Sequence, residues 1–352
     1  MDIKKYPCYS SPSMKTASSS TPSKYPVAIL GATGYVGRTL ARLLSEHPFF
    51  ELVALIGSPA SVNREFGSVW AEKEAKLVDH YGPIWQKKEI PETLAKQIVL
   101  SRAKVDFRTI GMVFSVVPDT AIGEESEITS SGTMLISNNP HGRLTYPLIV
   151  PELHPPKPTT PMIKMPNCVS IGLALGLAPL RTYGIKGLQA TTFQSLSGQG
   201  DRCYPQNWAL GNVFPIGTDV ENTQAYIADE LRVLLNLPFL PQIRSYRVYV
   251  QEGHLIDVTL CCEKALDRDT AIHLWKTWNP LNQVKGPLRV SSAPGEPKSQ
   301  DTAEEGGMPV RIGNIQQIDP HTIAFTLGIH NILRGAAGNA ILTAEWLLSG
   351  SQ

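Results

Sequence analysis

Residues 31–37 read GATGYVG, and this glycine-rich stretch lies between two segments of different character. Residues 26–30, PVAIL, form a short apolar run before it, and residues 39–45 follow it with leucines at helical spacing. A second apolar run comes next, at residues 51–56. The order of strand, glycine-rich turn, helix and strand predicts a βαβ unit with a right-handed crossover.

The glycine-rich turn is also a candidate dinucleotide site. Small residues let a pyrophosphate approach the backbone, and a helix N-terminus supplies unpaired N–H groups and a favourable dipole. A tight turn that binds nothing fits the same letters, and only the position between a strand and a helix favours the ligand. The candidate cofactor residues in the turn are Gly31, Thr33, Gly34, Tyr35, Val36 and Gly37.

The end of the second apolar run indicates which dinucleotide binds. An NAD site normally places Asp or Glu there, about 20 residues after the turn, to bind the ribose hydroxyls. Residues 57–64 read GSPASVNR, with no acid before Glu65. Two hydroxyls and a guanidinium suit a 2′-phosphate instead. Ser58, Ser61 and Arg64 therefore predict NADP as the cofactor.

The chain has 352 residues, more than the ~250–300 that a single core usually reaches, so two domains are expected. Apolar runs at 110–117 and 133–137 suit a parallel sheet that is covered on both faces. Beyond about residue 151 the pattern alternates, which favours an antiparallel sheet covered by a helix at 223–235. The fold class predicted is α/β: an N-terminal Rossmann-type doubly wound parallel sheet, plus an α+β substrate and dimerisation domain with a mainly antiparallel sheet.

These patterns divide the chain into segments. Residues 1–25 are expected to be a disordered tail, and residues 26–157 an NADP-binding domain completed by a C-terminal helix at 331–352. Residues 158–330 are expected to form the catalytic and dimerisation domain. The polar residues 295–307 are expected to form an exposed loop between its elements.

Composition narrows the possible partners and compartment. The formal net charge is +1, from 32 basic and 31 acidic residues, and no long block of like charge occurs. Neither nucleic acid nor a membrane is therefore expected as a partner, and no run approaches the ~18 apolar residues of a membrane span. The 5 cysteines form neither a disulfide framework nor a zinc-binding pair. A reducing, cytoplasmic location with no metal is the prediction.

Residues 165–172, MPNCVSIG, place a cysteine where a strand stops at a proline and a helix of small apolar residues begins. The thiolate form of a thiol at a helix N-terminus is stabilised, as a nucleophile requires near neutral pH. A buried, inert cysteine fits the segment equally well. Cys168 is therefore a candidate nucleophile on which the segment alone does not decide.

Residues 247–254, RVYVQEGH, hold a second pair of candidates. Arg247 and His254 would point to opposite faces of one straight strand, because seven positions separate them. A bulge or turn at Glu252-Gly253 would bring both into a single pocket. A histidine that merely lies on the surface after a turn is the alternative.

Taken together, these pieces resemble the aspartate-semialdehyde dehydrogenase family from about residue 26 to residue 350. Six motifs carry the resemblance: residues 31–37; Ser137-Asn138 with Arg143; Pro166-Asn167-Cys168; residues 194–198, QSLSG; residues 247–254; and His330-Asn331 with residues 335–338, GAAG. Val169, Met165 and Tyr249 depart from the residues usual in that family.

The resemblance implies a reaction: NADPH reduces an acyl phosphate, 4-phospho-L-aspartate or a close analogue, to the semialdehyde and phosphate. Roles follow for individual residues. In the chemistry, Cys168 forms a thioester, Gln194 orients the acyl group and His254 is the acid/base. In substrate binding, Arg247 binds the carboxylate and Glu221 binds the amine. Asn138 and Arg143 face the phosphate, and Asn331 lies on the nicotinamide side. A homodimer or higher homo-oligomer is implied as well.

Two segments depart from the family pattern. Residues 217–225, GTDVENTQA, lack the lysine expected there, and residues 200–205, GDRCYP, form an atypical insert in which Arg202 is the nearby cation. Substrate recognition is therefore expected to differ. The alternatives are a reductase similar to N-acetyl-glutamyl-phosphate reductase, whose family prefers Pro-Gly-Cys, an acyl-thioester reductase for another substrate, and a catalytically silent paralogue that binds the cofactor.

Overall fold

The structure, a computed structural model, describes most of the chain: residues 24–118, 121, 123–154, 160–217 and 223–349. The predicted tail lies outside the described residues up to position 23, as do residues 155–159 of the proline-rich segment, Glu221 and the last three residues. Tyr25, which was expected to end the tail, is the first residue of the first strand.

A parallel sheet forms the N-terminal half, as predicted, and it has five strands. Its strands are β1 (Tyr25–Leu30), β2 (Phe50–Ile56), β3 (Met112–Ser115), β4 (Met134–Ser137) and β5 (Met162–Lys164), in the order β2-β1-β3-β4-β5. All four neighbouring pairs are parallel. The sheet therefore continues past residue 157, because β5 hydrogen-bonds to β4 although its residues fall in the second predicted segment.

Helices cover this sheet on both faces. They are α1 (Tyr35–Leu44), α2 (Phe66–Tyr81), the short α3 (Glu92–Ala95), α4 (Gly123–Ser130) and, from the C-terminus, the last helix Gly338–Ser349. In that last helix, Ile341 and Ala344 join the core that contains Ile29 and Phe114. The chain thus returns to its first domain as expected, although the helix begins at Gly338, after a π-helical turn at Leu333–Ala337.

The second domain is built on a seven-stranded mixed sheet. Its strands are β6 (Ile185–Gln194), β7 (Val213–Pro215), β8 (Gln242–Val248), β9 (His254–Cys262), β10 (Leu288–Val290), β11 (Val310–Asp319) and β12 (Thr322–Ile329), in the order β10-β11-β12-β9-β6-β8-β7. The pairs β6–β8 and β10–β11 are parallel and the other four are antiparallel, which confirms a mainly antiparallel sheet.

One face of this sheet is covered by α5 (Cys168–Leu177) and α7 (Thr223–Leu235), and the domain also contains the short α6 (Gln206–Ala209) and α8 (Arg268–Thr277). The predicted bounds of α7 are reproduced. Its stripe Ile227, Leu231, Leu234 and Leu235 is buried against α5 and the sheet. Each such aliphatic side chain contributes roughly 1.5–3 kcal/mol by its burial.

The segment expected to be an exposed loop, residues 295–307, is different. Ser299–Gly307 folds into 3₁₀ turns, and Thr302 in its middle is 1% exposed. A Cβ added at Gly253 would lie 2.2 Å from the Ser299 carbonyl oxygen, so this segment packs directly against the turn before β9. The polar composition predicted exposure wrongly because these polar groups are used in turns and caps.

Candidate active site

The glycine-rich turn has the shape that a dinucleotide requires. Gly31 has a φ of +86°, and a Cβ at this position would lie 2.9 Å from the Val116 carbonyl oxygen. A Cβ at Gly37 would lie 2.3 Å from the Gly31 carbonyl oxygen, so a glycine is needed at position 37 for the helix to approach the turn this closely. Gly34 precedes α1 without any side-chain cap, so the first-turn N–H groups of the helix are offered outward.

A small, mostly apolar gap lies beside this turn at the carboxyl edge of the first sheet. It is lined in part by Val36, Ser115, Val116, Asn138 and Ala336. Four of these belong to the carboxyl ends of strands or to helix starts, which is where ligands bind in open parallel sheets. The turn therefore suits a dinucleotide whose pyrophosphate lies at the start of α1.

The three residues predicted to bind the 2′-phosphate lie just beyond β2, in different situations. The Ser61 side chain is buried, and its hydroxyl donates to the Ser58 carbonyl oxygen at 2.9 Å, so it stabilises the turn. Ser58 is exposed. Arg64 is 40% exposed and forms an ion pair with Glu72 at 2.6 Å. Ser58 and Arg64 remain candidate ligands, whereas the hydroxyl of Ser61 is already engaged.

Cys168 is the first residue of α5, as predicted. The Asn167 side chain caps the helix by accepting a hydrogen bond from the Val169 N–H at 2.9 Å. The π-helical turn packs tightly on the cysteine, since a Cβ added at Gly335 would lie 2.5 Å from the Cys168 Cβ. The thiol is therefore held in place from both sides.

The thiol is not poised as a thiolate in this state. Burial raises the pKa of Cys168 to about 11, even though the positive charges of Arg247 and Arg143 act in the opposite direction. At the resting thiol, desolvation therefore outweighs the helix N-terminus and the two arginines. The role of Cys168 as a nucleophile stays a prediction.

Arg247 and His254 meet in one pocket, as the turn between them predicted. Gly253 has a φ of +91° and reverses the chain between β8 and β9. A Cβ added at Gly198 would lie 2.5 Å from Arg247 Nη1 and 3.6 Å from His254 Cε1, so both side chains face this glycine. Both are fully buried.

The pKa of His254 lies well below its ordinary value because burial and the charges of Arg247 and His330 disfavour the imidazolium. Its Nε2 has no hydrogen-bond partner among the described residues. The ring is therefore neutral near pH 7, with one nitrogen directed to a ligand.

The atypical insert reaches this pocket through an aromatic residue. The Arg247 guanidinium lies 5.3 Å from the centre of the Tyr204 ring, and Arg247 Nη1 donates to the Ser195 carbonyl oxygen at 2.7 Å. Arg202, the cation considered from the sequence, is exposed. Tyr204 is thus the member of the insert that holds a site residue, through a cation–π contact.

The insert is anchored on the first domain. Asp201 accepts a hydrogen bond from Arg38 Nη2 at 2.9 Å and one from Lys73 Nζ at 3.1 Å. The Tyr204 N–H donates to the Tyr81 hydroxyl at 3.0 Å. Residues 200–205 therefore belong to the second domain by sequence but are held by α1 and α2.

A buried carboxylate that the sequence analysis missed connects the predicted phosphate residues to the cysteine turn. Glu230 Oε1 pairs with Arg143 Nη1 at 2.9 Å, and Glu230 Oε2 accepts from the Asn167 N–H at 2.7 Å. Arg143 Nη2 also donates to the Asn138 carbonyl oxygen at 2.8 Å. The sequence signal that could have identified Glu230 is an acidic residue on the otherwise apolar stripe of α7. Glu221, the acid that was predicted, lies outside the described residues.

Gln194 and Asn331 are both buried in the same region. Gln194 pairs in register with Arg247 on the adjacent strand, and its Nε2 donates to Thr192 Oγ1 at 3.0 Å. The Asn331 amide, predicted to lie on the nicotinamide side, is bonded to Ser197, Ser195 and the Gly253 N–H. These bonds connect Asn331 to the turn that precedes His254.

The cofactor turn and the catalytic turn share an ion cluster. The Tyr35 hydroxyl donates to Glu252 Oε1 at 2.8 Å, and Lys88 Nζ pairs with Glu252 Oε2 at 2.5 Å. His330 Nε2 lies 3.6 Å from the same oxygen. Burial raises the pKa of Glu252, but the charges of His330 and Lys88 oppose this and hold it below its ordinary value. Glu252 is therefore a carboxylate at neutral pH.

Two kinds of feature are absent from the residues that the structure describes. No three His, Cys, Asp or Glu side chains among them form a group that would hold a metal ion. None of the helices described is both long and apolar enough to cross a membrane.

Comparison with known proteins agrees with this geometry. Residues 26–159 match the family model for the semialdehyde dehydrogenase NAD-binding domain. The chain is 29% identical to the malonyl CoA reductase (NADP) of Metallosphaera sedula, with 91% of this chain and 96% of that protein covered. It is 27% identical to the aspartate-semialdehyde dehydrogenase of Archaeoglobus fulgidus, with 92% and 98% covered.

The fold is similar to the crystal structure of aspartate-semialdehyde dehydrogenase with NADP from Candida albicans. The TM-score is 0.79 at 23% identity, with 94% of this chain and 99% of that chain covered. The predicted fold class, the resemblance to aspartate-semialdehyde dehydrogenases and the prediction of a nicotinamide-dependent oxidoreductase are confirmed. Residues 26–159 therefore match a semialdehyde dehydrogenase NAD-binding domain, and the chain is similar to aspartate-semialdehyde dehydrogenases over most of its length.

Proposed function

We propose that this chain uses NADPH to reduce an activated acyl group that carries a carboxylate, and that it releases the semialdehyde after forming a thioester on Cys168. The observation that carries the proposal is the position of Arg247. A Cβ added at Gly198 would contact both the buried guanidinium and the His254 ring, so these two groups lie side by side. Burial raises the pKa of Cys168, and the charge of Arg247 acts to lower it. A buried guanidinium there suits a substrate carboxylate.

The reaction follows from the roles of the side chains. Cys168 Sγ attacks the acyl carbon, and the phosphate or thiol leaves with the proton that the cysteine gives up. When bound, NADPH supplies the hydride that reduces the thioester carbon. The carbon–sulfur bond then breaks, and the sulfur regains a proton as the aldehyde forms. Arg247 holds the carboxylate, Gln194 the acyl group, and His254 Nε2 faces the acyl oxygen.

The cofactor is NADP, held in this proposal by residues 31–37 and by the adjacent carboxyl edge of the first sheet. Ser58 and Arg64 contact the 2′-phosphate in this proposal, since no acid stands at the end of β2. The relative from M. sedula carries NADP in its name, and the similar structure from C. albicans contains it.

The first candidate substrate is 4-phospho-L-aspartate or a close analogue. The supporting features are the family motifs and the two cationic side chains, Arg143 and Arg247, whose charges reach Cys168. Asn138 and Arg143 face the phosphate in this version. Glu221 remains the predicted partner of the amine.

The second candidate is a coenzyme A thioester of a short dicarboxylic acid, such as malonyl-CoA. The observation that favours it is the malonyl CoA reductase among the relatives. Glu230 supports either candidate in the same way, since one of its oxygens pairs with Arg143 and the other accepts from the Asn167 N–H.

The deciding experiment follows NADPH formation from NADP in the oxidative direction. The aldehydes are L-aspartate semialdehyde, malonate semialdehyde and N-acetyl-L-glutamate semialdehyde, each with phosphate or with coenzyme A. We expect turnover that depends on one of the two acyl acceptors and that is lost in Cys168→Ser, with Cys203→Ser as the matched active control. If no aldehyde turns over with either acceptor although NADPH binds, the chain is a silent paralogue and the proposal fails.

We also propose that the chain forms a homodimer through the open face of the second sheet and that it works in the cytoplasm. Phe193, Tyr246 and Val213 share that face in the strand register, and Phe193 stacks on Tyr246 with ring centres 6.1 Å apart. Phe193 is 36% and Val213 55% exposed. A nucleophilic thiol suits a reducing compartment. Light scattering of the wild type and of Phe193→Asp would test the dimer: a wild-type monomer would contradict it.

A further inference from the structure

The backbone N–H of Ser195, which can only donate, determines which ring nitrogen of His254 carries the proton. The Ser195 N–H donates to His254 Nδ1 across 3.0 Å. Nδ1 must therefore present a lone pair, because a proton on Nδ1 would point at the amide proton of Ser195. In a neutral imidazole with a lone pair on Nδ1, the proton is on Nε2.

The side chain of Ser195 is consistent with this assignment but does not decide it alone. Its Oγ lies 3.1 Å from His254 Nδ1 and 3.1 Å from Asn331 Oδ1. The hydroxyl donates to Asn331, so by itself it would also tolerate an Nδ1–H group. The backbone N–H of the same residue excludes that arrangement.

The orientation of the Asn331 amide is fixed in the same way. Its Oδ1 accepts from the Gly253 N–H at 2.9 Å, and its Nδ2 donates to Ser197 Oγ at 2.9 Å. Asn331 therefore holds both the turn before His254 and the hydroxyl of Ser195 in place through hydrogen bonds. Asn331 and Ser195 are 2% and 0% exposed, so no solvent competes for these bonds.

We infer that Ser195 and Asn331 are positioning residues that hold neutral His254 with its proton on Nε2, so that His254 donates a hydrogen bond to the acyl oxygen and is not the base that deprotonates Cys168. The inference about the acyl oxygen rests on the proposed function; the tautomer does not. His254 Nε2 has no partner among the described residues, as expected of a donor reserved for a ligand.

The charges around the ring support a neutral donor. Arg247 and His330 are the charged and titratable groups that act on His254, and both lower its pKa. Glu252 is two residues away in sequence, but it pairs with Lys88 and lies beside His330. A neutral imidazole can polarise a carbonyl, and a fixed donor stabilises the charge that develops on its oxygen. The proton of Cys168 then leaves with the phosphate or thiol, as in the proposed reaction.

The first test needs no turnover. Enzyme labelled with ¹⁵N-histidine is studied by long-range ¹H–¹⁵N NMR from pH 6 to pH 8, and the ring signals are assigned by comparison with His254→Gln. We expect an unprotonated Nδ1 and a protonated Nε2 throughout. A proton on Nδ1, or an imidazolium at pH 7, would overturn the inference while leaving the proposed reaction intact.

The second test uses the pH dependence of a variant. In Asn331→Asp, a carboxylate oxygen still accepts from Gly253 and Ser195, but its negative charge favours the imidazolium. We expect the histidine pKa to rise. A proton on Nδ1 would then face the Ser195 N–H and displace the ring from the position in which Nε2 donates, so the activity should fall by ten-fold or more from pH 8 to pH 6, whereas the wild type stays within about three-fold. Equal loss at every pH would indicate a merely structural role and contradict the inference.

The third test addresses the base directly. The rate at which iodoacetamide alkylates Cys168 is measured against pH in the wild type and in His254→Gln, with and without NADP. We expect the two profiles to agree within about two-fold, since His254 does not take the thiol proton. A ten-fold slower alkylation in His254→Gln near pH 8 would show that the histidine is the base. Thermal unfolding of each variant shows whether it is folded.

Discussion

The hydroxyl of Tyr35 donates a 2.8 Å hydrogen bond to Glu252, and this bond joins the two turns that carry the chemistry. Tyr35 belongs to the glycine-rich turn, and Glu252 stands two residues before His254. Lys88 pairs with the same carboxylate from a third segment. The side chain of Glu252 therefore connects the cofactor turn to the turn that precedes His254, although Tyr35 and Glu252 are far apart in sequence.

Removing the Tyr35 hydroxyl tests this connection. Tyr35→Phe deletes a hydrogen bond to a buried carboxylate, which is worth about 1.5–3 kcal/mol. We expect the free energy of unfolding in urea to fall by about that amount and kcat to fall several-fold. Tyr226→Phe is the control, because Tyr226 is 43% exposed on α7. Wild-type stability and kcat in Tyr35→Phe would show that Lys88 alone holds Glu252.

Cofactor selectivity is expected to depend on Arg64. NADPH should bind the wild type at least ten-fold tighter than NADH, a difference of about 1.4 kcal/mol. Arg64→Ala should weaken NADPH binding by about ten-fold and leave NADH binding unchanged, as followed by fluorescence titration. Arg108→Ala is the control, since Arg108 is an exposed arginine of the same domain paired with Asp106. Equal affinities for both cofactors in the wild type would exclude a 2′-phosphate site at Ser58 and Arg64.

The reactivity of Cys168 should follow its raised pKa. With a pKa of about 11, the free thiol should react with iodoacetamide at a rate that still rises ten-fold per pH unit between pH 7 and pH 9. Cys168→Ser should abolish turnover and leave NADPH binding unchanged. Peptide mapping after alkylation identifies the thiol. A plateau near pH 7 in the free enzyme would mean that the helix terminus and the two arginines outweigh burial.

The sequence predicted those features of the site that have a local sequence pattern. The glycine turn, the cysteine at the start of α5 and the reversal at Gly253 are local features, and each was predicted. Glu230, Ser195 and Tyr204 reach the site through partners between 43 residues (Tyr204 and Arg247) and 136 residues (Ser195 and Asn331) away in sequence, so no spacing rule identifies them. The burial that raises the pKa of Cys168 is a property of the packed fold, and the local segment left a nucleophile and a buried thiol equally open.

Glu230 should be important for both stability and activity. Glu230→Ala leaves the Arg143 guanidinium buried without its carboxylate, which typically costs about 3–5 kcal/mol. We expect a lower urea midpoint and a large loss of kcat/KM, since the Asn167 N–H beside Cys168 also loses its acceptor. The double variant Arg143→Met, Glu230→Leu should recover stability but not activity. Recovered activity would mean that neither charge contacts the substrate.

Mild acid should destabilise the fold through two buried histidines. The pKa of His330 is lowered to about 4, and that of His254 also lies well below 6.5, chiefly by burial. Below about pH 6.5 the two histidines are therefore protonated in the unfolded chain but not in the folded chain, so the free energy of unfolding falls as the pH falls. From pH 7 to 5.5 we expect a loss of about 1 kcal/mol per histidine, measured by urea unfolding. His330→Gln should remove about half of the slope.

The fold itself was predicted more completely than the site. The first four parallel strands follow from continuous apolar runs and helix α7 from its period of 3.6, because both are local signals. The exposed loop expected at 295–307 was wrong, since composition does not show that Thr302 and Ser299 pack under Gly253. The position of β5 in the first sheet was missed for the same reason: the pairing partner of a three-residue strand is set by its neighbours.

The anchoring of residues 200–205 has a consequence for protein engineering. Asp201 and Tyr204 belong to the catalytic half of the chain, yet Arg38, Lys73 and Tyr81 of the cofactor half hold them. The two halves are consequently not interchangeable modules. A chimera that joined this catalytic half to the nucleotide-binding half of a relative would lose the support of the ring that lies over Arg247. Any graft intended to transfer substrate preference has to carry α1 and α2 with it.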